Sequence, residues 1–153
     1  MNTKGLSANT SSPGQQYYTI DRTIPSSVEA YDGVIGIGVD LVQVSRVRQA
    51  VKRRGDRFAH RILSEEELKG RPENVALDLW IAGRFAAKEA CLKALGTGWA
   101  GGLAFTQVQV RDCGKLELSG HALQLAENQG VVNSRVTLTA SGDLVAAMVI
   151  LDG

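Results

Sequence analysis

The chain has 153 residues, which is enough for one domain with a substantial core and too few for two comfortable ones. Lys plus Arg total 17 against 16 for Asp plus Glu, so the net charge neither favours nor excludes a nucleic-acid partner. Two cysteines without CxxC spacing and two distant histidines argue against zinc and favour a reducing, cytoplasmic location. No apolar run approaches the roughly 20 residues that span a membrane, and the polar N-terminus does not look like a signal peptide.

The first 32 residues are rich in Ser, Thr, Asn, Gln and Gly, so we expect residues 1–32 to form a flexible polar extension. A domain over residues 33–153 would begin with VIGIGVDLVQV, whose β-branched residues predict a strand. A helix is predicted next, with Ser45 as its N-cap and Gly55 as its end.

Helices are predicted to continue through the middle of the chain. Residues 57–63 form a short amphipathic piece, and Ser64 with Glu67 has the spacing of a capping box. The longest helix is predicted from Asn74 to Leu95, with Gly96 in the C′ position.

Segments in which apolar and polar residues alternate dominate the last third of the chain. They predict strands over 105–111, 115–118, 135–139 and 144–151, with a helix over 121–129 and a Ser141-Gly142-Asp143 hairpin turn. The order β-α-α-α-β-β-α-β-β predicts a single-domain α+β fold, in which an antiparallel sheet packs on the long helix.

Charged residues stand at unusual places in this pattern. Asp40 ends an apolar strand, where a cap or turn role is the simplest account, and Glu89 has Lys93 one helical turn away as a possible ion-pair partner. Arg84 and Lys88 are both positive, and the surrounding alanines indicate that another backbone lies close, so these charges need partners. Two carboxylates and several cations fit a Mg²⁺ ion that holds a phosphate ligand.

Glycines follow the long helix. Gly96, Gly98 and Gly101 match GxGxxG by count, but a dinucleotide-binding fingerprint follows a strand and opens a helix. A Rossmann or P-loop site is therefore not favoured. Backbone N–H groups at such a helix end can still receive phosphate.

Arginines crowd the first helix. Arg46 and Arg53 are seven residues apart and Arg57 follows four later, so one face can collect three guanidinium groups if the helix continues past Gly55. A solvated face is the simpler account. A concentrated basic face would instead imply an acidic partner, either nucleic acid or an acidic protein helix.

Two stretches together are distinctive. GIGVDLVQVSRV followed by WIAGRFAAKEACLKALGTG closely resembles the holo-acyl-carrier-protein synthase type of 4′-phosphopantetheinyl transferase, and the intervening RFAHRILSEEEL is similar to that family too. The resemblance implies the 4′-phosphopantetheinyl transferase-like fold. It also implies a reaction in which coenzyme A donates its phosphopantetheine arm to a serine of apo-acyl carrier protein and adenosine bisphosphate leaves.

The resemblance also implies roles for single residues. Asp40 and Glu89 would hold Mg²⁺ together with the coenzyme pyrophosphate, Lys93 would face that pyrophosphate, and these three form the catalytic set. Either Glu89 or a metal-bound water would accept the serine proton. Gly96, Thr97 and Gly98 would support the coenzyme, and Arg84 and Thr139 belong to the same coenzyme-binding set.

Partners follow from the same resemblance. Arg46, Arg53 and Arg57 would meet the acidic helix that acyl carrier proteins present. A homotrimer is expected, with active sites between subunits. Neither nucleic acid nor a membrane is expected as a partner.

Two departures from the family pattern leave alternatives open. Ala140 stands where the family usually has a histidine near the coenzyme's adenosine phosphate, which would weaken coenzyme binding by about ten- to a hundredfold. The likeness also begins only at Val34, after a leader that the family commonly lacks. The protein could therefore be a degenerate member that binds carrier proteins with weak or no transfer. A nucleic-acid-binding module is a further alternative, although near-neutral charge and arginines without interleaved aromatics argue against it.

Overall fold

A computed structural model describes residues 6–9, 17–20, 33–97, 102–111 and 113–153. The chain divides into two compact units, Met1–Asp32 and Gly33–Gly153. In the first unit, strands β1 (Leu6–Asn9) and β2 (Tyr17–Ile20) pair antiparallel. The other residues of this unit lie outside those described, so its expected flexibility stays a prediction.

The second unit follows the predicted order of elements except that four helices, not three, precede its second strand, because Asp56–Ile62 form a helix of their own. Its elements are β3 (Val34–Gln43), α1 (Val44–Arg54), α2 (Asp56–Ile62), α3 (Glu65–Lys69), α4 (Leu77–Ala94), β4 (Val108–Val110), β5 (Leu116–Leu118), α5 (Gly120–Asn128), β6 (Asn133–Ser141) and β7 (Leu144–Asp152). Strands β3, β7 and β6 form an antiparallel sheet in that order, and β4 pairs antiparallel with β5. Helix α4 packs on the three-stranded sheet, which confirms the predicted α+β fold. Among the described residues, no helix is both long and apolar enough to cross a bilayer.

Backbone-to-backbone contact joins β3 to α4. A Cβ atom added at Gly36 would lie 2.1 Å from the carbonyl oxygen of Ala94, and one added at Gly38 would lie 1.8 Å from that of Ala90. The strand therefore has room only for hydrogen at these positions, and alanines on the helix complete the contact. The close backbone that the alanine-rich helix predicted is strand β3.

The two faces of β3 have different surroundings. Asp40 and the buried Val42 continue the face that Gly36 and Gly38 begin, because side chains alternate along a strand. On the opposite face, three large apolar residues are each more than half exposed: Ile37, Val39 and Leu41. The sheet therefore packs on α4 with one face and presents an apolar surface with the other.

The start of α1 differs from the prediction. The helix begins at Val44, and Ser45 does not act as its N-cap. Instead the Asp143 carboxylate, from the β6–β7 turn, accepts hydrogen bonds from the Ser45 backbone N–H at 2.8 Å and from its hydroxyl at 2.6 Å. The hydrogen bonds from Ser45 hold the pKa of Asp143 below its usual value. Tertiary structure thus supplies a cap that local sequence does not contain.

Two other boundaries were predicted wrongly. Helix α4 begins at Leu77 rather than Asn74, because the Val75 N–H donates to the Pro72 carbonyl at 3.0 Å and forms a turn first. Residues Phe105–Gln107 form a 3₁₀ turn before β4 instead of the start of a strand.

The predicted capping box is confirmed. The Glu67 N–H donates to the Ser64 hydroxyl at 3.2 Å, and the Ser64 N–H donates to the Glu67 carboxylate at 3.0 Å. The hairpin between β6 and β7 is confirmed as well, with Ser141 opposite Leu144 across a two-residue turn.

Gly38→Ala is expected to lower the free energy of unfolding by about 1–3 kcal/mol or more, because the new methyl group overlaps the Ala90 carbonyl. Gly83→Ala on α4 is the matched control. Its Cβ would meet only a Leu138 methyl at 3.9 Å, and alanine is favoured over glycine inside a helix by about 1 kcal/mol. Chemical denaturation measures both variants, and equal losses would contradict the close-contact account.

Candidate active site

Asp40 and Glu89 line one pocket of about 370 Å³. Asp40 reaches it from β3 and Glu89 from α4, whose close approach brings the two carboxylates to the same place. Arg46 of α1 and two aromatic side chains, Phe58 and Phe85, also line the pocket. The structure thus brings together the two carboxylates that the sequence analysis selected.

Lys93 extends this group of charges. Its ammonium donates to Asp40 Oδ1 at 2.7 Å and to the Val39 carbonyl at 3.0 Å. The Lys93 side chain is 49% exposed, whereas that of Asp40 is 16% exposed. Glu89, one helical turn before Lys93, is buried. Asp40 is therefore neither a helix cap nor a turn residue, because its carboxylate faces α4 and pairs with a lysine there.

The donor set fits a metal that binds together with a substrate. Among the described residues, no group of three or more His, Cys, Asp or Glu side chains is placed to hold a metal ion. Mg²⁺ commonly takes only one or two protein carboxylates and completes its shell with substrate phosphates and water. Asp40 and Glu89 fit this requirement, and two cations lie near them: Arg46 lines the same pocket and Lys93 pairs with Asp40.

Lys88 has a structural partner. Its side chain is completely buried, and the ammonium lies 2.6 Å from Glu67 Oε2 and 2.6 Å from the Ile62 carbonyl. Burial lowers the pKa of Lys88, and the Glu67 carboxylate opposes that effect. The Val110 N–H donates to the other Glu67 oxygen at 3.1 Å. This buried pair therefore ties α4 to the end of α2, the start of α3 and β4.

Arg84 lies apart from the carboxylate pocket. Its guanidinium stacks on the Trp80 ring, 3.6 Å from the centroid, in a cation–π contact. It lines a smaller pocket of about 80 Å³ with Glu66 and Arg111, among others. The predicted coenzyme role of Arg84 stays a prediction, and any such contact would involve a different surface from that of Asp40.

The glycine turn after α4 is a Schellman motif. Gly96 has φ of 72° and sits at the predicted C′ position. The Thr97 N–H donates to the Leu92 carbonyl at 3.2 Å, and the Gly96 N–H donates to that of Lys93 at 3.0 Å. Gly98 lies outside the described residues, so its role and that of the whole turn stay predictions.

Thr139 lies on the other face of the sheet. It is exposed on β6 opposite Ala146, which in turn lies opposite Leu41 on β3. Paired residues share a face, so Thr139 belongs to the uncovered apolar face and Asp40 to the face that packs on α4. Ala140, next to Thr139, is exposed as well.

The three predicted docking arginines do not form one stripe. Helix α1 ends before Gly55, whose φ of 57° is not helical. A separate helix, α2, begins after it and contains Arg57. Arg53 and Arg57 share a pocket of about 380 Å³ with two further arginines, Arg54 and Arg61. Arg46 instead lines the carboxylate pocket. Phe58 lines both pockets, so the two sites are neighbours.

Comparison with known proteins identifies the family. A family profile described as the 4′-phosphopantetheinyl transferase superfamily matches residues 36–149. The chain belongs to this superfamily. A holo-[acyl-carrier-protein] synthase of Escherichia coli is 42% identical over 123 residues, which cover 78% of this chain and 98% of that protein.

Solved structures agree with this superfamily assignment. The crystal structure of holo-[acyl-carrier-protein] synthase from Neisseria meningitidis matches with a TM-score of 0.68 and 36% identity, and covers 78% of this chain and 99% of that one. The enzyme of Helicobacter pylori in complex with coenzyme A matches with a TM-score of 0.64 and 27% identity over 75% of this chain and 98% of that one. The resemblance seen in the motifs is confirmed.

Sequence reasoning missed two residues that shape the pocket of this superfamily member. Phe85 stands four residues before Glu89 on α4, and that spacing places both on one helix face. The helical spacing from Glu89 could therefore have identified Phe85 from the sequence. No comparable local signal marks Phe58, which reaches the pocket from α2.

Lys88→Met is expected to lower the free energy of unfolding by about 3–5 kcal/mol, because it leaves the Glu67 carboxylate buried without its charged partner. Adding Glu67→Gln should recover part of this loss, since glutamine can still complete the capping box. Lys93→Met is the matched control on the same helix and should cost about 1 kcal/mol at most, because that pair is exposed. Denaturation curves measure the wild type, Lys88→Met, Glu67→Gln, their double variant and Lys93→Met. Strictly additive losses for the Lys88 and Glu67 variants would contradict the pairing.

Proposed function

We propose that this superfamily member is a holo-acyl-carrier-protein synthase, which transfers the 4′-phosphopantetheine arm of coenzyme A to a serine of apo-acyl carrier protein. The observation that carries the proposal is the convergence of Asp40 and Glu89 in one pocket, with Lys93 paired to Asp40. The 42% identical relative bears this enzyme name, and the Helicobacter pylori relative binds coenzyme A.

The pocket suits phosphoryl transfer. The serine oxygen attacks the β-phosphorus of coenzyme A, and the bond to the bridging oxygen breaks, so that adenosine 3′,5′-bisphosphate leaves. Glu89 is the buried carboxylate in the pocket that can accept the serine proton. Lys93, which pairs with Asp40, would face the pyrophosphate and stabilise charge on the phosphate oxygens.

Magnesium is part of this proposal. Asp40 and Glu89 would hold the ion together with phosphate oxygens of the substrate. When bound, it would neutralise charge that develops on those oxygens. Arg46 is the cation among the described residues that line the pocket, and it would add positive charge for a phosphate-bearing substrate beside the metal.

Asp40→Asn and Glu89→Gln are each expected to lower the rate of transfer by about a hundredfold or more, since each removes a charge needed for phosphoryl transfer. Glu73→Gln makes the same chemical change at an exposed position outside the pocket and should keep the wild-type rate. Transfer of radiolabelled phosphopantetheine measures the rates, and circular dichroism verifies the fold. Chelation of divalent ions should abolish transfer, and Mg²⁺ should restore it. Wild-type rates in both folded carboxylate variants would refute the site.

The arginine pocket supports docking of an acidic carrier protein. Arg53, Arg54, Arg57 and Arg61 line it beside Phe58, which also lines the carboxylate pocket. A carrier helix bound at these guanidinium groups would hold its serine close to Asp40 and Glu89. Arg46 belongs to both the docking prediction and the carboxylate pocket, so it is the less selective probe.

Reversing Arg53 and Arg57 to glutamate is expected to raise the KM for carrier protein about tenfold and to reduce the salt dependence of transfer, because surface charges steer encounter. The KM for coenzyme A should hardly change. Lys69→Glu reverses an exposed charge that does not line the arginine pocket and serves as control. If both KM values rise together, the arginines support the coenzyme site or the fold instead of docking.

We also propose a homotrimer with active sites between subunits. The uncovered sheet face carries Ile37, Val39 and Leu41, which favours burial against another copy. Thr139 lies on that face and Asp40 on the opposite one, so a coenzyme that reaches both would take Thr139 from a neighbouring copy. Light scattering at assay concentration tests this assembly. Ile37→Lys, on the same exposed face but outside the carboxylate pocket, should dissociate it and reduce transfer, whereas an active wild-type monomer would contradict it.

A cytoplasmic location completes the proposal. Cys91 is buried and Cys113 is exposed, and both are free thiols, as expected in a reducing compartment. Burial raises the pKa of the Cys91 thiol to about 12, which makes it unreactive.

A further inference from the structure

Lys93 and the proposed metal ion are directed to the same carboxylate. The Lys93 ammonium lies 2.7 Å from Asp40 Oδ1 and 3.0 Å from the Val39 carbonyl. Lys93 and Glu89 both belong to α4, and Glu89 lines the same pocket as Asp40. A divalent ion shared by Asp40 and Glu89 would compete with this ammonium for the Asp40 carboxylate.

We propose that Lys93 and the divalent cation exchange at Asp40, so that the lysine sets the metal affinity of the site and is released when the metal binds. This inference rests on the proposed function. The Lys93 ammonium neutralises Asp40 while no divalent ion is bound. Once displaced, it becomes available to the phosphates of the coenzyme.

The lysine is the mobile partner of the pair. Asp40 is held within the sheet, and its side chain is mostly buried. Lys93 is half-exposed and has a long, flexible side chain in the last turn of α4, where a positive charge is favourable for the helix dipole. Because the Lys93 end of the pair is half-exposed and screened by solvent, a divalent ion would displace the ammonium at low cost.

Lys88, a second lysine on α4, forms an ion pair that differs from the Asp40–Lys93 pair in its burial. The Lys88–Glu67 pair is 2.6 Å long, and its two side chains are 0% and 2% exposed. Backbone donors from Ser64 and Val110 occupy the Glu67 carboxylate as well. That pair is closed to exchange, whereas the Asp40–Lys93 pair opens to the pocket and to solvent.

The exchange predicts an outcome opposite to that expected for an ordinary active-site substitution. Lys93→Met should bind Mn²⁺ about two- to fivefold more tightly than the wild-type protein in the absence of coenzyme, because the metal no longer displaces an ion pair. Free Mn²⁺ is measured by electron paramagnetic resonance with the full-length protein. The same variant should bind coenzyme A more weakly, since the phosphates lose their lysine.

Two matched variants make the test specific. Arg46→Met removes a positive charge from the same pocket without removing the partner of Asp40. The fold-increase in its Mn²⁺ affinity should therefore be less than half of that in Lys93→Met. Asp40→Asn should abolish Mn²⁺ binding. Unchanged or weaker Mn²⁺ binding by Lys93→Met would overturn the exchange and leave the metal site intact. An equal gain in Arg46→Met would overturn it too, because repulsion through space would then explain both. Full Mn²⁺ binding by Asp40→Asn would show that Asp40 is not a metal ligand, which would refute both the proposed metal site and the exchange.

Discussion

The close approach of β3 to α4 determines where every charged group of the site can lie. Gly36 and Gly38 allow the strand to touch the helix backbone at Ala94 and Ala90. Two residues further along the same strand face stands Asp40. On the helix, the residues next to this contact line are Glu89 and Lys93. The carboxylates share a pocket because the two backbones touch, and a larger side chain at either glycine would push the helix away from the strand.

Helix α4 combines structural and functional charges that differ in their surroundings. Lys88 is buried and pairs with Glu67. This pair fixes the position of the helix relative to α2, α3 and β4. Glu89, the next residue, then points into the pocket. Lys93, one turn later, is half-exposed and pairs with Asp40. The closed pair holds the helix in place, and the open pair remains available for chemistry.

The three-stranded sheet serves two purposes because its faces are chemically different. One face packs on α4 and carries Asp40 into the pocket. The other carries exposed apolar residues from β3, with Thr139 on β6. An exposed apolar surface thus lies on the side of the sheet opposite Asp40. The arginine pocket is a neighbour of the carboxylate pocket, since Phe58 lines both.

Local patterns in the sequence were sufficient for most of the fold, including the order of elements apart from the separate helix α2, the Ser64–Glu67 capping box and the helix end at Gly96, because these depend on residues within a few positions of one another. The motifs were also sufficient to select Asp40, Glu89 and Lys93. Only the tertiary structure could reveal that Asp143 caps α1, since the two are 98 residues apart. The same holds for the Glu67 partner of Lys88, for the separation of Arg46 from the other docking arginines, and for the placement of Arg84 and Thr139 outside the carboxylate pocket. The physical reason is that such partners are set by the path of the chain in space, on which spacing along a helix or strand carries no information.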